Sequence, residues 1–301
     1  MHPDSTRNQD HDTTALAYAD ALEQVLGSLG SVAVALSGGV DSAVVAAAAH
    51  RALKAQAMAF TGDSPSVARA ELQIALETAA LIGIRHAVVP TGEFNSPAYV
   101  ANDGSRCYHC KSTLYDAAIT HMTGWGVEWV ASGANLDDLG DYRPGLQAAA
   151  ERKVRHPLVE AGLNKTQVRQ LARHYGLPIW DKPASPCLSS RIAPGIQATP
   201  ERVARVESAE AILRSLGYPV CRVRVHADEL ARVELPVHEL PGFLNAGHHE
   251  ALTDKLLALG FRFVTIDLRG FKSGSLNSLI PLGIRSKFQT MQENPPSEVN
   301  G

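Results

Sequence analysis

Three of the four cysteines in this chain of 301 residues stand where a thiol could do chemistry. Cys107 and Cys110 form a C-x-x-C pair at the start of a predicted helix, where the helix dipole favours anionic sulfur. Such a pair can be a redox dithiol, half of a zinc site or part of an iron–sulfur cluster. The sequence has no second C-x-x-C pair, which argues against a zinc site of four cysteines. His109 could also ligate, although a single histidine between two ligands is more often a bystander.

The third thiol, Cys187, lies in a loop that two prolines make stiff. A stiff loop suits an exposed thiol that is kept at a fixed distance from a partner. If Lys182 and Arg191 lie nearby, they lower the pKa of this thiol by favouring the thiolate. The fourth cysteine, Cys221, falls inside a predicted strand, and we expect it to pack in the core.

A glycine-containing loop joins a short apolar strand to an alanine-rich helix. Its residues are Ser37, Gly38, Gly39, Val40, Asp41 and Ser42. Two glycines at such a turn allow main-chain N–H groups to point together at an anion on the helix N-terminus. The loop lacks the lysine of a Walker A motif. It predicts a phosphate site for a nucleotide; the alternative is a turn that merely packs the helix on the sheet.

Two more loops leave the carboxyl ends of predicted strands, where open α/β sheets bind ligands. Thr61 begins one of them. The other contains Gly133, Asn135, Asp137 and Asp138. Its acids and amide suit the ribose or the Mg²⁺ of a bound nucleotide, since magnesium prefers oxygen ligands. An acid-rich turn without a ligand is the alternative.

Arg222 and Arg224 alternate along a later predicted strand, so both side chains point to one face. Two guanidinium groups on one face suit a phosphate or a carboxylate. A solvated basic edge strand explains them nearly as well.

Strands and helices alternate through the first part of the chain, which predicts an α/β fold with a doubly wound parallel sheet. The predicted strands are 32–36, 56–60, 86–90 and 127–132, and the predicted helices are 16–29, 42–54, 65–81 (opened by Pro65), 108–122 and 165–175 (capped by Asn164). From residue 199 a second, smaller α/β unit follows. Its helices are predicted at 200–216 and 248–259, and its strands at 220–225, 230–235 and 261–268.

These patterns predict a disordered lead-in at 1–14, an ATP-binding domain at 15–195, a small substrate or oligomerisation domain at 196–285 and a disordered tail at 286–301. The chain is 45% hydrophobic and 20% charged, as ordinary globular proteins are. It has no apolar run of about 20 residues that would span a membrane. The net charge of −3 gives no general attraction for nucleic acid. Four cysteines without a disulfide pattern favour a reducing cytoplasm.

Taken together, the motifs resemble the LarE-type ATP-dependent sulfur transferases, which belong to the PP-loop ATP pyrophosphatases. The resemblance covers residues 15–280. It rests on 37–42, 106–111, 133–138, 141–145, 186–191 and 222–224, which read SGGVDS, RCYHCK, GANLDD, DYRPG, PCLSSR and RVR. The first of these segments is shared by many families, whereas the combination is specific.

This resemblance implies an enzyme of nickel-pincer nucleotide biosynthesis, which matures lactate racemase. Such an enzyme uses ATP and Mg²⁺ to adenylate a carboxylate of pyridinium biscarboxylic acid mononucleotide, after which a sulfur species displaces AMP. In some members the cysteine matching Cys187 is the sulfur donor and becomes dehydroalanine. In others three cysteines hold a [4Fe-4S] cluster that carries sulfide. This chain has all three, Cys107, Cys110 and Cys187, so the resemblance favours the cluster.

The resemblance further implies that Arg191, Arg222 and Arg224 hold the substrate, that Glu210 is a candidate metal ligand, and that the chain forms a homo-oligomer, a hexamer in familiar members. The sulfide donor is not indicated. A rival interpretation is a PP-loop tRNA thiolase, which would require a basic RNA-binding face. Another is a nucleotide-binding regulatory module without turnover.

Overall fold

The computed structural model of the protein describes residues 4–139, 144–272 and 274–284. The first part contains α1 Asp4–Gly27, β1 Val32–Ala35, α2 Val40–Leu53, β2 Ala57–Asp63, α3 Arg69–Ile82, β3 Arg85–Pro90, α4 Pro97–Ala101, α5 Arg106–Trp125, β4 Trp129–Ala131, α6 Pro144–Glu151, α7 Pro157–Glu160 and α8 Lys165–His174. The second part contains α9 Pro200–Ser215, β5 Arg222–His226, β6 Leu230–Glu234, α10 Leu240–Asn245, α11 His248–Ala258 and β7 Phe263–Ile266.

The first sheet has the strand order β3-β2-β1-β4, and all its neighbouring strands are parallel. Every residue of the central strand β1 is buried. Val32 and Val34 pack into one apolar cluster with α1, α2 and α8, whereas Ala33 and Ala35 pack into another with α5 and α6. A strand covered on both faces must be apolar throughout. The predicted doubly wound α/β fold is therefore confirmed.

The helix predicted to open at Pro65 begins instead at Arg69. The Ser64 hydroxyl accepts the backbone N–H of Ser66, and the Arg69 guanidinium donates to the carbonyl oxygen of Val67. These side-chain bonds stabilise a turn that competes with the helix. The helix ends as expected, with Gly83 in the left-handed region.

The first helix begins at Asp4, within the segment expected to be a disordered lead-in. No glycine or proline interrupts residues 4–26. Once a helix has nucleated, each added residue gains a backbone hydrogen bond at little further entropic cost, so polar residues can extend it. Residues 1–3 lie outside the described part of the chain.

The second sheet has the order β5-β6-β7, with β5 and β6 antiparallel and β6 and β7 parallel. Apolar residues of α9 and α11 pack on it. Tyr99, Leu188 and Ile192, which precede residue 195, belong to the same apolar cluster. Segments on both sides of the expected boundary therefore share one core, and the boundary itself stays a prediction.

The Asp141-Tyr142-Arg143 part of one sequence motif lies outside the described residues, as does the tail at 286–301. Within the described ranges, every helix is either too short or too polar to span a lipid bilayer.

Candidate active site

The loop between β1 and α2 is held in a closed turn by its two serines. The Ser42 hydroxyl donates to the carbonyl of Gly39 (3.1 Å) and accepts the backbone N–H of Ser37 (3.1 Å). The Ser37 hydroxyl lies 3.2 Å from that of Ser42 and must be the donor, because the Ser42 proton is already used. The first N–H groups of α2 have no partners within the helix, so the turn presents them to an anion.

Two glycines allow this loop to approach its neighbours closely. Gly38 has φ +75°, and a Cβ there would lie 2.7 Å from the carbonyl oxygen of Glu71. A Cβ on Gly133 would lie 2.6 Å from the backbone nitrogen of Ser42. The loop after β4 therefore packs directly on the start of α2, because neither glycine has a side chain.

Asp41 connects the phosphate loop to the loop after β4 and to the start of α8. The Asn135 side-chain amide donates to its carboxylate (3.2 Å), and the Lys165 ammonium forms an ion pair with it. Asn135 is itself fixed, since its backbone N–H donates to the Asp138 carboxylate and its side-chain oxygen accepts the N–H of Asp137. The structure thus brings together Asp41, Asn135 and Asp138, and their contact with a nucleotide stays a prediction.

Lys182 lies on the other side of the loop. Its ammonium donates to the carbonyl of Gly38 (2.8 Å) and to the carboxylate of Glu71 (2.6 Å). Lys182 therefore contacts the phosphate loop, whereas the sequence suggested that it would act on the Cys187 thiol. Lys165 and Lys182 place positive charge on both sides of the turn, where it complements the charge of a pyrophosphate.

Thr61 supports the loop from the neighbouring strand. Its hydroxyl donates to the carbonyl of Leu36 (2.7 Å), so it must accept from Nε2 of His86 at 2.8 Å. Burial lowers the pKa of His86, which favours the neutral ring with its proton on Nε2. Contact between Thr61 and a nucleotide stays a prediction.

Cys187 stands at the start of a short helical turn, Leu188–Arg191, that packs against the second unit. The Arg191 guanidinium donates to the carbonyl of Cys187 (3.0 Å). The buried hydroxyls of Tyr99 and Ser189 hydrogen-bond to each other at 2.8 Å. These contacts fix the backbone that carries the thiol.

Cys107 and Cys110 lie within the first two turns of α5, which begins two residues earlier than predicted. Cys107 is exposed and Cys110 is partly buried. Burial raises the pKa of the Cys110 thiol, and the neighbouring Cys187 and Glu93 raise it further. An electrostatic effect of Cys187 on Cys110 requires the two segments to face each other, so the three thiols lie on one side of the molecule.

Arg106 stands among these thiols and contacts the side-chain oxygen of Asn102. Burial lowers the pKa of its guanidinium, but the combined effect of Cys187, Cys107, Tyr99 and Cys110 is larger and the pKa is raised. Arg106 and Cys107 line a cleft of about 150 Å³ together with Ser190. The cleft therefore joins the C-x-x-C helix to the Cys187 loop.

Three thiolates are a suitable donor set for an iron–sulfur cluster with one open iron. Among the residues that the structure describes, however, no three His, Cys, Asp or Glu side chains are grouped so that they could hold a metal ion. In this arrangement the three thiols do not form a metal site, so a cluster held by them stays a prediction.

Arg191 and Glu210 form a buried ion pair at 2.9 Å, and their side chains are 3% and 2% exposed. The backbone N–H of Val223 donates to the same carboxylate. A metal at Glu210 would have to displace Arg191, so the metal role of Glu210 stays a prediction.

Arg224 forms a second buried ion pair, with Glu234 (2.8 Å), and also donates to the carbonyl of Ser190 (3.2 Å). Burial lowers the pKa of the Arg222 guanidinium, and Arg191 lowers it further. Guanidinium groups outnumber carboxylates in this cluster, which comprises Arg191, Arg214, Arg222, Arg224, Arg232, Glu210, Glu234 and Asp267. The surplus positive charge suits an anionic ligand beside the Cys187 loop.

The family described as asparagine synthase matches residues 15–98, which contain the phosphate loop. An uncharacterised protein of Synechocystis sp. is 45% identical over 259 residues, which are 86% of this chain and 96% of that protein. The pyridinium-3,5-bisthiocarboxylic acid mononucleotide synthase of Lactiplantibacillus plantarum is 36% identical over 261 residues, 86% of this chain and 93% of that enzyme. This chain belongs to the LarE-type ATP-dependent sulfur transferases. An uncharacterised protein of Methanocaldococcus jannaschii is also similar, with 24% identity over 242 residues, 80% of this chain and 91% of that protein.

Membership of the LarE-type family confirms the resemblance that the motifs indicated and makes the chain an ATP-dependent enzyme that transfers sulfur. Sequence reasoning did not assign Lys165 or Asn102 to its site. Asn164 was correctly predicted to cap α8, and its side chain accepts the backbone N–H of Gln167. The start of a helix in an α/β domain often lies at the edge of the sheet where ligands bind. This position could have indicated Lys165 as a site residue. Asn102 gave no comparable signal.

Proposed function

We propose that this LarE-type enzyme adenylates a carboxylate of pyridinium-3,5-biscarboxylic acid mononucleotide and converts it to a thiocarboxylate, as a step towards the nickel-pincer nucleotide. The L. plantarum relative is a synthase of the corresponding bisthiocarboxylic acid mononucleotide, which supports this substrate. The observation that carries the proposal is the position of the Cys187 loop. Its backbone is held by Arg191 and Arg224, which belong to the cluster whose surplus positive charge suits an anionic substrate.

In the first step, a carboxylate oxygen attacks the α-phosphorus of ATP. The bond between that phosphorus and the bridging oxygen breaks, and pyrophosphate leaves with the electron pair. The N–H groups of the phosphate loop, with Lys165 and Lys182, stabilise the charge that develops on the leaving group. Mg²⁺ bound with ATP supplies further charge stabilisation, and the carboxylate of Asp41 is a suitable oxygen ligand for it.

In the second step, sulfur attacks the carbonyl carbon of the acyl adenylate, and AMP leaves with the electron pair of the C–O bond. When Cys187 supplies the sulfur, its thiolate forms a thioester. Loss of the Cα proton and cleavage of the Cβ–S bond then release the thiocarboxylate and leave dehydroalanine. This sacrificial route needs no external oxidant or reductant.

The other sulfur source that we propose, and that the three cysteines favour, is sulfide carried by a [4Fe-4S] cluster held by Cys107, Cys110 and Cys187. The donor set and the positive charges of Arg106 and Lys111 support it, since Lys111 interacts with all three cysteines. Formation of such a cluster would require these side chains to rearrange, since the described residues hold no group of three that could bind a metal.

The test of the activity is pyrophosphate release by the full chain with ATP and Mg²⁺. We expect release in the presence of the pyridinium mononucleotide and little without it. Release that depends on tRNA instead would favour a tRNA thiolase. Nucleotide binding without release under either condition would favour a regulatory module.

The test of the sulfur source is iron and sulfide analysis of anaerobically purified protein, combined with its visible absorption spectrum. A cluster gives about four irons per chain and broad absorption, and Cys107→Ser abolishes both. If Cys107→Ser still transfers sulfur once per chain and mass spectrometry finds dehydroalanine at residue 187, the sacrificial route is correct.

We also propose that the enzyme works in the cytoplasm, where thiols stay reduced, and that it assembles as a homo-oligomer, a hexamer by resemblance to its family. Light scattering of the purified chain measures that assembly. A monomer at micromolar concentration would contradict it.

A further inference from the structure

The last described segment of the chain, residues 274–284, forms one wall of the cleft that Arg106, Cys107 and Ser190 also line. Leu276 and Ile280 line the cleft together with Cys107. Ile280 packs so closely on the start of α5 that a Cβ on Gly104 would lie 2.7 Å from its Cγ2 atom. Removal of this segment would open the cleft to solvent along its apolar side.

Ser275 connects this segment to the cluster of arginine and carboxylate side chains that contains Arg224 and Glu234. Its hydroxyl donates to Oε1 of Glu234 (3.0 Å) and accepts from Nη2 of Arg224 (3.3 Å). Glu234 is fully buried and Arg224 is 5% exposed. The Ser275 hydroxyl thus donates one hydrogen bond and accepts another, and both are with the Arg224–Glu234 pair, the best candidate to bind the substrate.

The guanidinium of Arg224 donates hydrogen bonds from two of its edges. Nε and Nη2 both donate to one oxygen of Glu234. The other end donates through Nη1 to the carbonyl of Ser190 and through Nη2 to Ser275. That end is the one on which an anion can bind with two parallel hydrogen bonds.

We infer that Ser275 is a latch that competes with the anionic group of the substrate for Arg224, so that substrate binding and opening of the cleft wall are coupled. This inference rests on the proposed function. An anion accepts stronger hydrogen bonds from a guanidinium than a neutral hydroxyl does. When an anion displaces the Ser190 carbonyl and the Ser275 hydroxyl from Arg224, Ser275 loses one of its two attachments, and residues 274–284 are released from the cleft.

The experiment compares Ser275→Ala with Ser275→Thr and with Ser278→Ala. Ser278 lies in the same segment, is exposed, and donates to the carbonyl of Ser275, so its substitution is a matched control. The first measurement is amide hydrogen exchange of residues 274–284 with and without inorganic phosphate, which serves as a simple anion. The second is the KM for the mononucleotide and for ATP in pyrophosphate release.

In wild type and in Ser278→Ala, we expect phosphate to speed exchange in this segment. In Ser275→Ala the segment should exchange fast without phosphate and respond little to it. The KM for the mononucleotide should fall about two- to tenfold in Ser275→Ala, the factor that one ordinary hydrogen bond gives. The KM for ATP should not change, and Ser275→Thr should behave as wild type because it keeps the hydroxyl.

Three results would overturn the latch. The first is exchange in Ser275→Ala that matches wild type. The second is a raised KM for the mononucleotide, which would make Ser275 a direct substrate contact. The third is an equal change in the KM for ATP, which would make the segment a general structural element. If wild type shows no mononucleotide-dependent pyrophosphate release, the proposed function fails, whereas the exchange measurements still decide the latch.

Discussion

The ammonium of Lys165 forms an ion pair with the carboxylate of Asp41, a residue that lies 124 positions away in the chain. The pair brings the start of α8 to the start of α2, beside the phosphate loop. Both side chains keep some exposure, 35% for Lys165 and 23% for Asp41, so a bound nucleotide can reach them. An ion pair of this kind contributes little to stability, which points to a role in binding charge.

Lys165→Met should therefore slow catalysis much more than it weakens the fold. We expect kcat for pyrophosphate release to fall about 10²-fold, the typical loss when one group that stabilises developing charge is removed. The free energy of unfolding should change by less than about 1 kcal/mol. The assay is pyrophosphate release, with urea denaturation alongside. Lys255→Met, on the exposed face of α11, is the control and should match wild type in both measurements.

Gly38→Ala should abolish the response to ATP. The new Cβ would lie 2.7 Å from the Glu71 carbonyl at a residue with φ +75°, and left-handed backbone costs a non-glycine residue about 1–2 kcal/mol. Gly176→Ala carries the same cost at φ +69° but has no atom within 4 Å of the new Cβ, so it isolates the effect of the backbone. The measurement is the rise in Tm that ATP causes. An unchanged rise in Gly38→Ala would show that the loop does not bind the nucleotide.

Glu210→Gln should destabilise the protein strongly. Breaking the buried pair leaves the Arg191 charge without a full partner, which costs about 3–5 kcal/mol in comparable cases. Urea denaturation measures the loss, and Glu201→Gln at the exposed start of α9 is the control. A variant that keeps its stability but loses affinity for Mn²⁺ would support the metal role of Glu210 instead.

Stability should fall as pH drops below about 6.5, the ordinary pKa of histidine. Burial lowers the pKa of both His86 and His156 in the folded protein. The unfolded chain therefore binds protons at a higher pH than the folded chain does, and stability is present above pH 6.5 and lost as pH falls through the folded pKa values. The free energy of unfolding measured from pH 7.5 to 5 should show this loss.

His86→Gln should flatten that pH dependence, because it removes one of the three histidines, with His156 and His226, whose pKa burial lowers. His238→Gln is the matched control, since its side chain is 82% exposed. If the three proteins lose stability in parallel, the buried histidines are not the cause.

Much of the fold could be predicted because it depends on local patterns. The continuous apolar run of β1 requires cover on both faces, and Asn164 caps α8 with the geometry that its residue type prefers. The start of α3 could not be predicted in this way. Pro65 favours a helix start, but the side-chain bonds of Ser64 and Arg69 stabilise a different turn.

The sequence by itself determined the chemistry available to this protein: a phosphate loop, three thiols and a pair of arginines, each defined by residue type and short spacing. Tertiary structure decided which of these groups meet. Lys182 hydrogen-bonds to the phosphate loop rather than acting on Cys187, and Arg191 forms an ion pair with Glu210. Such choices depend on which charges are buried together, because an unpaired buried charge is costly and long side chains can reach several partners. Spacing along the chain carries no information about that competition.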